Sequence, residues 1–532
     1  MKLTKTVTSL LLASILLLGL AACGDRQPAG EPNEFGFRPV RITYASVQGR
    51  EGWNYNTGDD FGRFLSERFN YELEFTALNL DTWAQRMNIW ISSQDMPDVA
   101  VYDYVHANAA SYVEQELIFR FPDNWQQRWP NAAAIYNLTQ LGPKLDEIFG
   151  GTYFFPRARF ADNLPGIPVP NHHSIHMRKD WMRAVGMEVK GYHTIQEVME
   201  FARRVRDRDP GNVGSGLIPI TGTPSNLARM FLQSNSTHYD TFYRDPADGI
   251  YKWGPADPRT LEGLRLWYEA YSTGLIDPEF FLLTSGQDQD KFELTLRAAS
   301  IFNEGTTTDV RRRRINFQNN TGLNGDDHVH MATLLGTDGL HHQRDLINYW
   351  GTIIFRPDVN IEVFERWMSL MDYRSTRVGY ISSLLGLQGI DWDFGPDGVS
   401  LISLVPEGVT LSGAPGVGKY SSMGYILGST LLFDDLNFDN PNIDEHHRRE
   451  SWELYMSRIQ HSTPQSFPIV DWDLFTYDSP NRRRVSYNFP VEFSNMITTA
   501  TSMANLEQIY WNWINAQRNI VQPVLDELNA RR

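Results

Sequence analysis

Along the first hundred residues the apolar positions change rhythm repeatedly. RITYASV (41–47), YELEFTAL (71–78) and PDVAVYD (97–103) are short runs rich in β-branched and aromatic residues, and they predict buried strands. Between them, DDFGRFLSERF (59–69) puts Phe61, Leu65 and Phe69 on one helical face behind acidic N-terminal residues. DTWAQRMNIWISSQD (81–95) predicts a second helix with Asp81 as its N-cap. A β-α-β-α-β order implies a parallel sheet covered by helices. Ligands of such sheets sit in loops at the carboxyl ends of the strands. Here those loops are VQGREGWNYNTG (47–58) and YDYVHAN (102–108), both rich in aromatics and amides.

A second unit begins near residue 175. SIHMRKDWMRAVGMEV passes from an apolar run into a helix. Thr194-Ile-Gln-Glu197 is a capping box, followed by Val198, Phe201, Ala202 and Val205 at helical spacing. In RTLEGLRLWYEAYSTGLIDPEF, Leu261, Leu264, Tyr268 and Tyr271 form another apolar face that stops at Gly274. AASIFNEGTT (298–307), HVHMATLLG and LINYWGTIIF predict strands, and long helices follow at about 360–373, 444–461 and 505–528.

The N-terminus changes the setting. MKLTKTVTSLLLASILLLGLAACGD carries Lys2 and Lys5, then an apolar run from Leu10 to Leu20, then small residues, which is the pattern of a secretory signal peptide. It ends Leu20-Ala21-Ala22-Cys23, which resembles the bacterial lipobox. That implies cleavage after residue 22, an acylated Cys23 and a lipid-anchored protein on the extracytoplasmic face of the cell membrane. Cys23 is the only cysteine, so no internal disulfide competes for its thiol. GDRQPAGEPNEFGFRP (24–39) reads as a tether.

Composition narrows the partners. A chain of 532 residues holds two or three ordinary domains. A net charge of −16 suits neither nucleic acid nor anionic lipid, both of which need a basic footprint. Fifteen tryptophans and 23 tyrosines leave room for a site that stacks on flat apolar faces beyond what cores need. GAPGVGKYSS (413–422) has the Gly-x-x-x-x-Gly-Lys spacing of a phosphate loop. However, Tyr420 stands where a magnesium-binding hydroxyl is required, and no ATP is expected outside the cytoplasm. A nucleotide site is excluded on both grounds, although this loop, ending in Lys419-Tyr420, has the flexibility of a cleft rim.

The chain as a whole resembles a family. ISSQDMPDVAVYD, LPGIPVP, HHSIHMRKDWMRAVGMEV, YHTIQEVMEFARRVRDRDP, GLIDPEFF, AASIFNEG and GLQGIDWDFGPDGV are similar to segments of extracellular solute-binding lipoproteins of carbohydrate ABC importers, in particular the large oligosaccharide-binding subfamily. Arg178-Lys179-Asp180-Trp181, followed by the capping box and Asp-x-Asp-Pro, is the most specific part. The resemblance implies a two-lobed α/β fold of the periplasmic-binding-protein type. Each lobe would be a mostly parallel sheet flanked by helices, with the ligand in the cleft between them. Lobe 1 is expected at 40–174 and about 300–375, and lobe 2 at 175–299 and about 376–532. The resemblance also implies a monomeric binding protein without catalysis or cofactor, which delivers an oligosaccharide to permease subunits. Relatives often carry a calcium loop after Asp-x-Asp-Pro. DRDPGNVGSGLIPI (207–220) keeps Asp207 and Asp209 but places Gly211, Val213 and Gly216 where oxygen ligands are needed, so little or no calcium is expected there.

A sugar site needs aromatic faces for the ring and planar polar groups for its hydroxyls. Trp53, Asn54 and Tyr55 follow the first strand, and Tyr102, Asp103 and Tyr104 follow the third. Asn303 and Glu304 lie at the strand-to-loop junction of AASIFNEG, where the family places ligand contacts. Trp350 and Trp392 are platform candidates that serve equally well as core. His172, His173, His176, His328, His330, His341, His342, His446 and His447 invite a metal reading, but no zinc motif organises them and no metal site is assigned. Arg311–Arg314 and Arg482–Arg484 are either paired surface charge or a clamp for an acidic sugar. Two rival functions stay open. One is a glycoside hydrolase using carboxylates such as Glu51, Asp103, Glu304 or Asp393. The other is a binding protein for a non-sugar solute such as a peptide.

Overall fold

The computed structural model describes residues 30–79, 82–102, 108–158, 172–305, 309–344, 349–406, 441 and 443–531. The N-terminal segment read as a signal peptide, Cys23, the phosphate-loop-like stretch and Asp81 lie outside these residues.

Among the described residues fourteen strands are formed, in chain order β1 (Val40–Ser46), β2 (Tyr71–Ala77), β3 (Val99–Tyr102), β4 (Phe155–Ala158), β5 (His172–Arg178), β6 (Tyr192–Thr194), β7 (Ile218–Thr221), β8 (Phe242–Arg244), β9 (Tyr251–Trp253), β10 (Ala298–Gly305), β11 (Val329–Leu335), β12 (Tyr349–Phe355), β13 (Trp392–Phe394) and β14 (Leu401–Ser403). Ten of them build two sheets, β2-β1-β3-β12-β4 and β6-β11-β5-β10-β7, and the other four form two hairpins. In the first sheet β2 and β3 run parallel to β1, and β12 runs antiparallel to both its neighbours. In the second, β7 is parallel to β10 and β6 to β11, while β5 runs against both β10 and β11. Each sheet therefore has one reversed strand and is otherwise parallel, as expected.

The predicted elements form for the predicted reasons. Asp59 caps the helix Asp60–Phe69 by accepting from the Gly62 amide at 2.8 Å, and Phe61, Leu65 and Phe69 are buried. The Thr194 capping box is complete and starts Ile195–Arg208. Helix Trp83–Ser93 begins after Thr82, which makes no side-chain cap bond.

Two separate cores result. Val40 to Phe155, together with Tyr349 to Trp392, make the first, and Ile175 to Phe302, with Ala332, Leu334, Phe493 and Tyr510, make the second. This corrects the expected boundaries. β10 and β11 belong to the second sheet, because β10 pairs with β5 and β7 and β11 with β5 and β6. Conversely, residues 377–394 stay with the first lobe, because Tyr380, Ile381, Leu385 and Trp392 fill its core. A strand's lobe is set by its hydrogen-bond partners, which a run of apolar residues does not name.

The most family-like motif turns out to be a structural latch. Arg178 pairs with Asp180 at 2.7 Å and stacks 4.5 Å above the Trp181 ring. Trp181 lies so close to Gly211 that a Cβ there would stand 2.2 Å from Cζ2. The RKDW segment and the loop after Asp-x-Asp-Pro are thus one packing unit.

Candidate functional site

The chain passes from the end of β4 to the start of β5, and from the end of β11 to the start of β12. Strands β4 and β11 are forward strands and β5 and β12 the reversed ones. Both connections therefore join the carboxyl edge of one sheet to the carboxyl edge of the other. That topology turns the two ligand-binding edges toward a common cleft.

On the first lobe this edge carries the loop after β1. Trp53 is half-buried, and its Nε1 has no hydrogen-bond partner among the described residues. Asn54 Oδ1 accepts from the amides of Asn56 (2.9 Å) and Thr57 (3.0 Å), so it shapes the turn. Tyr55 is buried, its ring against Phe75 and its hydroxyl accepting from the Arg50 amide at 2.7 Å. Arg157, at the end of β4, is buried and donates to Gln48 Oε1 in the same loop. Tyr102 is fully buried between Tyr112 and Phe154. Trp392 is fully buried, with Nε1 donating to the Gly386 carbonyl at 2.9 Å. Tyr55, Tyr102 and Trp392 are therefore core residues rather than platforms. Asp103 and Tyr104 lie outside the described residues, as do the side chains of Glu304 and Trp350.

On the second lobe the edge is basic and imidazole-rich. Asn303 is buried and sits opposite Ser174 in register. His173 stacks on Phe302 and its Nε2 accepts from Arg229 at 3.0 Å, which requires the neutral ring with the proton on Nδ1. Burial, then the charges of Arg229, Arg458 and Arg313, push its pKa well below the ordinary histidine value. Arg229, Gln233, Phe302, His341 and Gln343 share a small recess with it. Thr237, His342 and Asp338 form a hydrogen-bonded chain with links of 3.2 and 2.8 Å. Thr237 is only 2% exposed, so this chain fastens the 336–344 turn and is no nucleophile system.

The larger cavity, of about 330 Å³, was not anticipated from the sequence. Asp240, Phe242, Trp253, Arg482, Tyr487 and Phe489 line it. Its aromatic wall is rigid: Trp253 stacks on Trp513 (5.4 Å, 23°), and the Tyr487 hydroxyl donates to Gln517 at 2.8 Å. The Trp253 Nε1 is buried and finds no partner among the described residues. Arg482 lies 5.5 Å above Phe242, and burial lowers its pKa. The cavity adjoins the lobe-crossing chain on two sides. Asp240 pairs with Arg344 of the β11–β12 connection at 2.9 Å. Residues 482–489 continue the chain from Trp472 and Phe475, which pack on the first core. Its walls come from segments some 230 residues apart, and no local motif marks them. The basic run at 482–484 was the one available signal. Among the other arginines singled out, Arg313 pairs with Glu293, and Arg314 with Asp326 and Glu450. They are structural pairs rather than a clamp.

The loop after Asp-x-Asp-Pro, where little or no calcium was expected, is bridged by the protein's own hydrogen bonds. Asp209 accepts from the amides of Val213 at 2.9 Å and Gly214 at 2.7 Å, so both carboxylate oxygens are engaged. Of the carboxylates considered for hydrolysis, Glu51 accepts from the Ala77 amide and Asp393 from the Phe394 amide. Glu51 thereby ties the loop after β1 to the end of β2, and Asp393 lies within β13, where it also accepts from Gln388.

No protein-family model matches the sequence, and no curated protein matches it either. Solved structures do. The chain is similar to the Streptococcus pneumoniae ABC-transporter substrate-binding protein FusA in complex with kestose (TM-score 0.62, 15% identity, 92% of this chain and 100% of that one). It is similar to the alginate-binding protein AlgQ2 (TM-score 0.61, 15% identity, 92% and 97%). It is also similar to the N-glycan transport solute-binding protein NgtS from Streptococcus pneumoniae in complex with Man1GlcNAc (TM-score 0.57, 12% identity, 92% and 98%). The chain has the two-lobed α/β fold of these solute-binding proteins over nearly its whole length.

Proposed function

We propose that this chain is the substrate-binding protein of an ABC importer, capturing an oligosaccharide between its lobes and presenting it to the membrane permease. The observation that carries this reading is the aromatic and arginine-lined cavity beside the lobe-crossing chain. Trp253, Tyr487 and Phe242 offer flat apolar faces for the C–H faces of a sugar ring, while Arg482 and Asp240 offer groups for its hydroxyls. Structurally similar proteins bound to kestose and Man1GlcNAc support the ligand class. Trp53 on the first lobe and Asn303 on the second are the expected residues best placed to meet the ligand from either side, and Glu304 and Trp350 share those edges. Closure selects the bound form, so the protein needs no catalytic group. The lipobox-like sequence supports anchoring through Cys23 outside the cytoplasm, with the binding protein acting as a monomer. Among the described residues no helix is long and apolar enough to cross a membrane.

The test is a thermal-shift panel of neutral and acidic oligosaccharides on the mature chain, with chromatography of each mixture. One glycan should raise the melting temperature by several degrees through mass action and be recovered intact. Arg482→Ala should weaken that glycan about tenfold or more without lowering the melting temperature of the free protein. No shift with any glycan, or hydrolysed products, would overturn the proposal.

A further inference from the structure

Away from the cleft, Asp326, His446 and His447 bring one carboxylate oxygen and two imidazole nitrogens within 4.8 Å of one another. Asp326 belongs to the short turn Gly325–His328 that leads into β11, at the amino edge of the second sheet. His446 and His447 open the helix Glu445–Gln460, which crosses that sheet and carries Arg458 to the cleft side, where it donates to Ser174 at 2.6 Å. The His446 Nε2 lies 3.2 Å from Asp326 Oδ2, and the His447 Nε2 lies 2.8 Å from Asp326 Oδ1. The other nitrogen of His447, Nδ1, is 3.1 Å from Asp444 Oδ2.

Asp444 fixes the chemistry of this cluster. A carboxylate accepts and cannot donate, so Nδ1 of His447 holds the ring proton. In the neutral ring, Nε2 then presents a lone pair toward Asp326 Oδ1. Two lone pairs at 2.8 Å repel unless a positive centre lies between them. The same holds for His446 if its ring is neutral with the proton on Nδ1. The cluster is completed either by a proton on the facing nitrogen of each imidazole or by one divalent metal ion. The spacing admits the metal. At bond lengths of about 2.0–2.1 Å the edge of a tetrahedral site is about 3.4 Å, near the 3.2 Å found for His446 and within reach of a small rotation for His447.

We propose that Asp326, His446 and His447 form a binding site for a zinc-class divalent transition metal, with a water molecule as fourth ligand and Asp444 orienting His447 from behind. Two imidazoles and a carboxylate are a nitrogen–oxygen donor set suited to such ions, and a carboxylate behind a ligating histidine raises its basicity. Arg314 donates to Asp326 Oδ1 at 2.8 Å and also pairs with Glu450, so it holds the carboxylate in place. Around the cluster Arg311 pairs with Asp444, and Lys179 donates to the Asp326 backbone carbonyl at 2.8 Å. The ion fastens the foot of the helix whose other end reaches the cleft, and it supplies no chemistry to the ligand.

The experiment uses the full mature chain without a histidine tag, stripped with chelator and titrated with Co²⁺ and with Zn²⁺. One equivalent of Co²⁺ should give the visible absorption of a low-coordinate nitrogen–oxygen site, and Zn²⁺ should displace it and raise the melting temperature by several degrees. His446→Ala, whose side chain among the described residues bonds to Asp326 and packs on the His447 ring, should abolish the spectrum while the metal-free melt stays unchanged. Asp444→Asn should keep the spectrum and weaken affinity about tenfold. The proposal is overturned if no saturable binding occurs at micromolar metal, or if His446→Ala binds as the parent does. Both readouts are independent of any glycan, so failure here leaves the transport reading intact, and the reverse is also true.

Discussion

Trp392 was a platform candidate because indoles suit sugar rings, yet its surroundings make it a core residue. Its removal leaves a large cavity, so Trp392→Ala is expected to cost about 3–5 kcal/mol in chemical denaturation. Trp53, with part of its ring exposed, should respond differently. Trp53→Ala is expected to stay within about 1 kcal/mol of the parent and to change glycan affinity. The two variants separate core from site by experiment. Residue identity alone could not do so, because an indole has the same composition in either place and only burial distinguishes them. Thr194 is the opposite case. Its capping role was legible because the box is local, spanning four consecutive residues. Thr194→Ala should cost about 1 kcal/mol, read as a small drop in melting temperature.

Among the elements, the latch between Trp181 and Gly211 joins two motifs that are separate in the sequence. Gly211→Ala drives a methyl group into the indole and should cost about 1–3 kcal/mol, measured by denaturation. Asp209 does for this loop what a calcium ion would do, by gathering amides around one carboxylate. Calcium should therefore leave the melting temperature unchanged, whereas Asp209→Ala should lower it. Micromolar calcium binding that disappears in Asp209→Ala would refute that account. The strands and helices were largely readable from the sequence, because apolar periodicity reports burial one element at a time. The assignment of β10 and β11 to the second lobe was not, because either sheet would accept such apolar strands.

Over the whole molecule, buried histidines gather in the second lobe. Burial pushes His193, His238 and His330 down to about 4 and His341 to about 3, below their ordinary value of 6.5. The unfolded chain then binds more protons than the folded one between pH 6.5 and about 3. Their contribution to stability is complete above 6.5 and is lost as pH falls through that window. Melting temperatures measured from pH 7 down to about 4 should decline across it, and His193→Leu should flatten the slope. Ligand capture should also draw the lobes together, giving a smaller radius of gyration by solution scattering when the matching glycan is added.

The sequence by itself determined the alternating α/β elements, the capped helices and the loops at which a ligand edge would lie. All of these follow from local composition and from periodicities of a few residues. Which strands share a sheet, which aromatics face a cavity, and how Asp240, Trp253 and Arg482 come to surround one space were decided only by tertiary structure. So was the meeting of Asp326 with His446 and His447 across more than a hundred residues. Such contacts depend on long-range pairing, and side chains distant in sequence carry no mark of one another until the chain has folded.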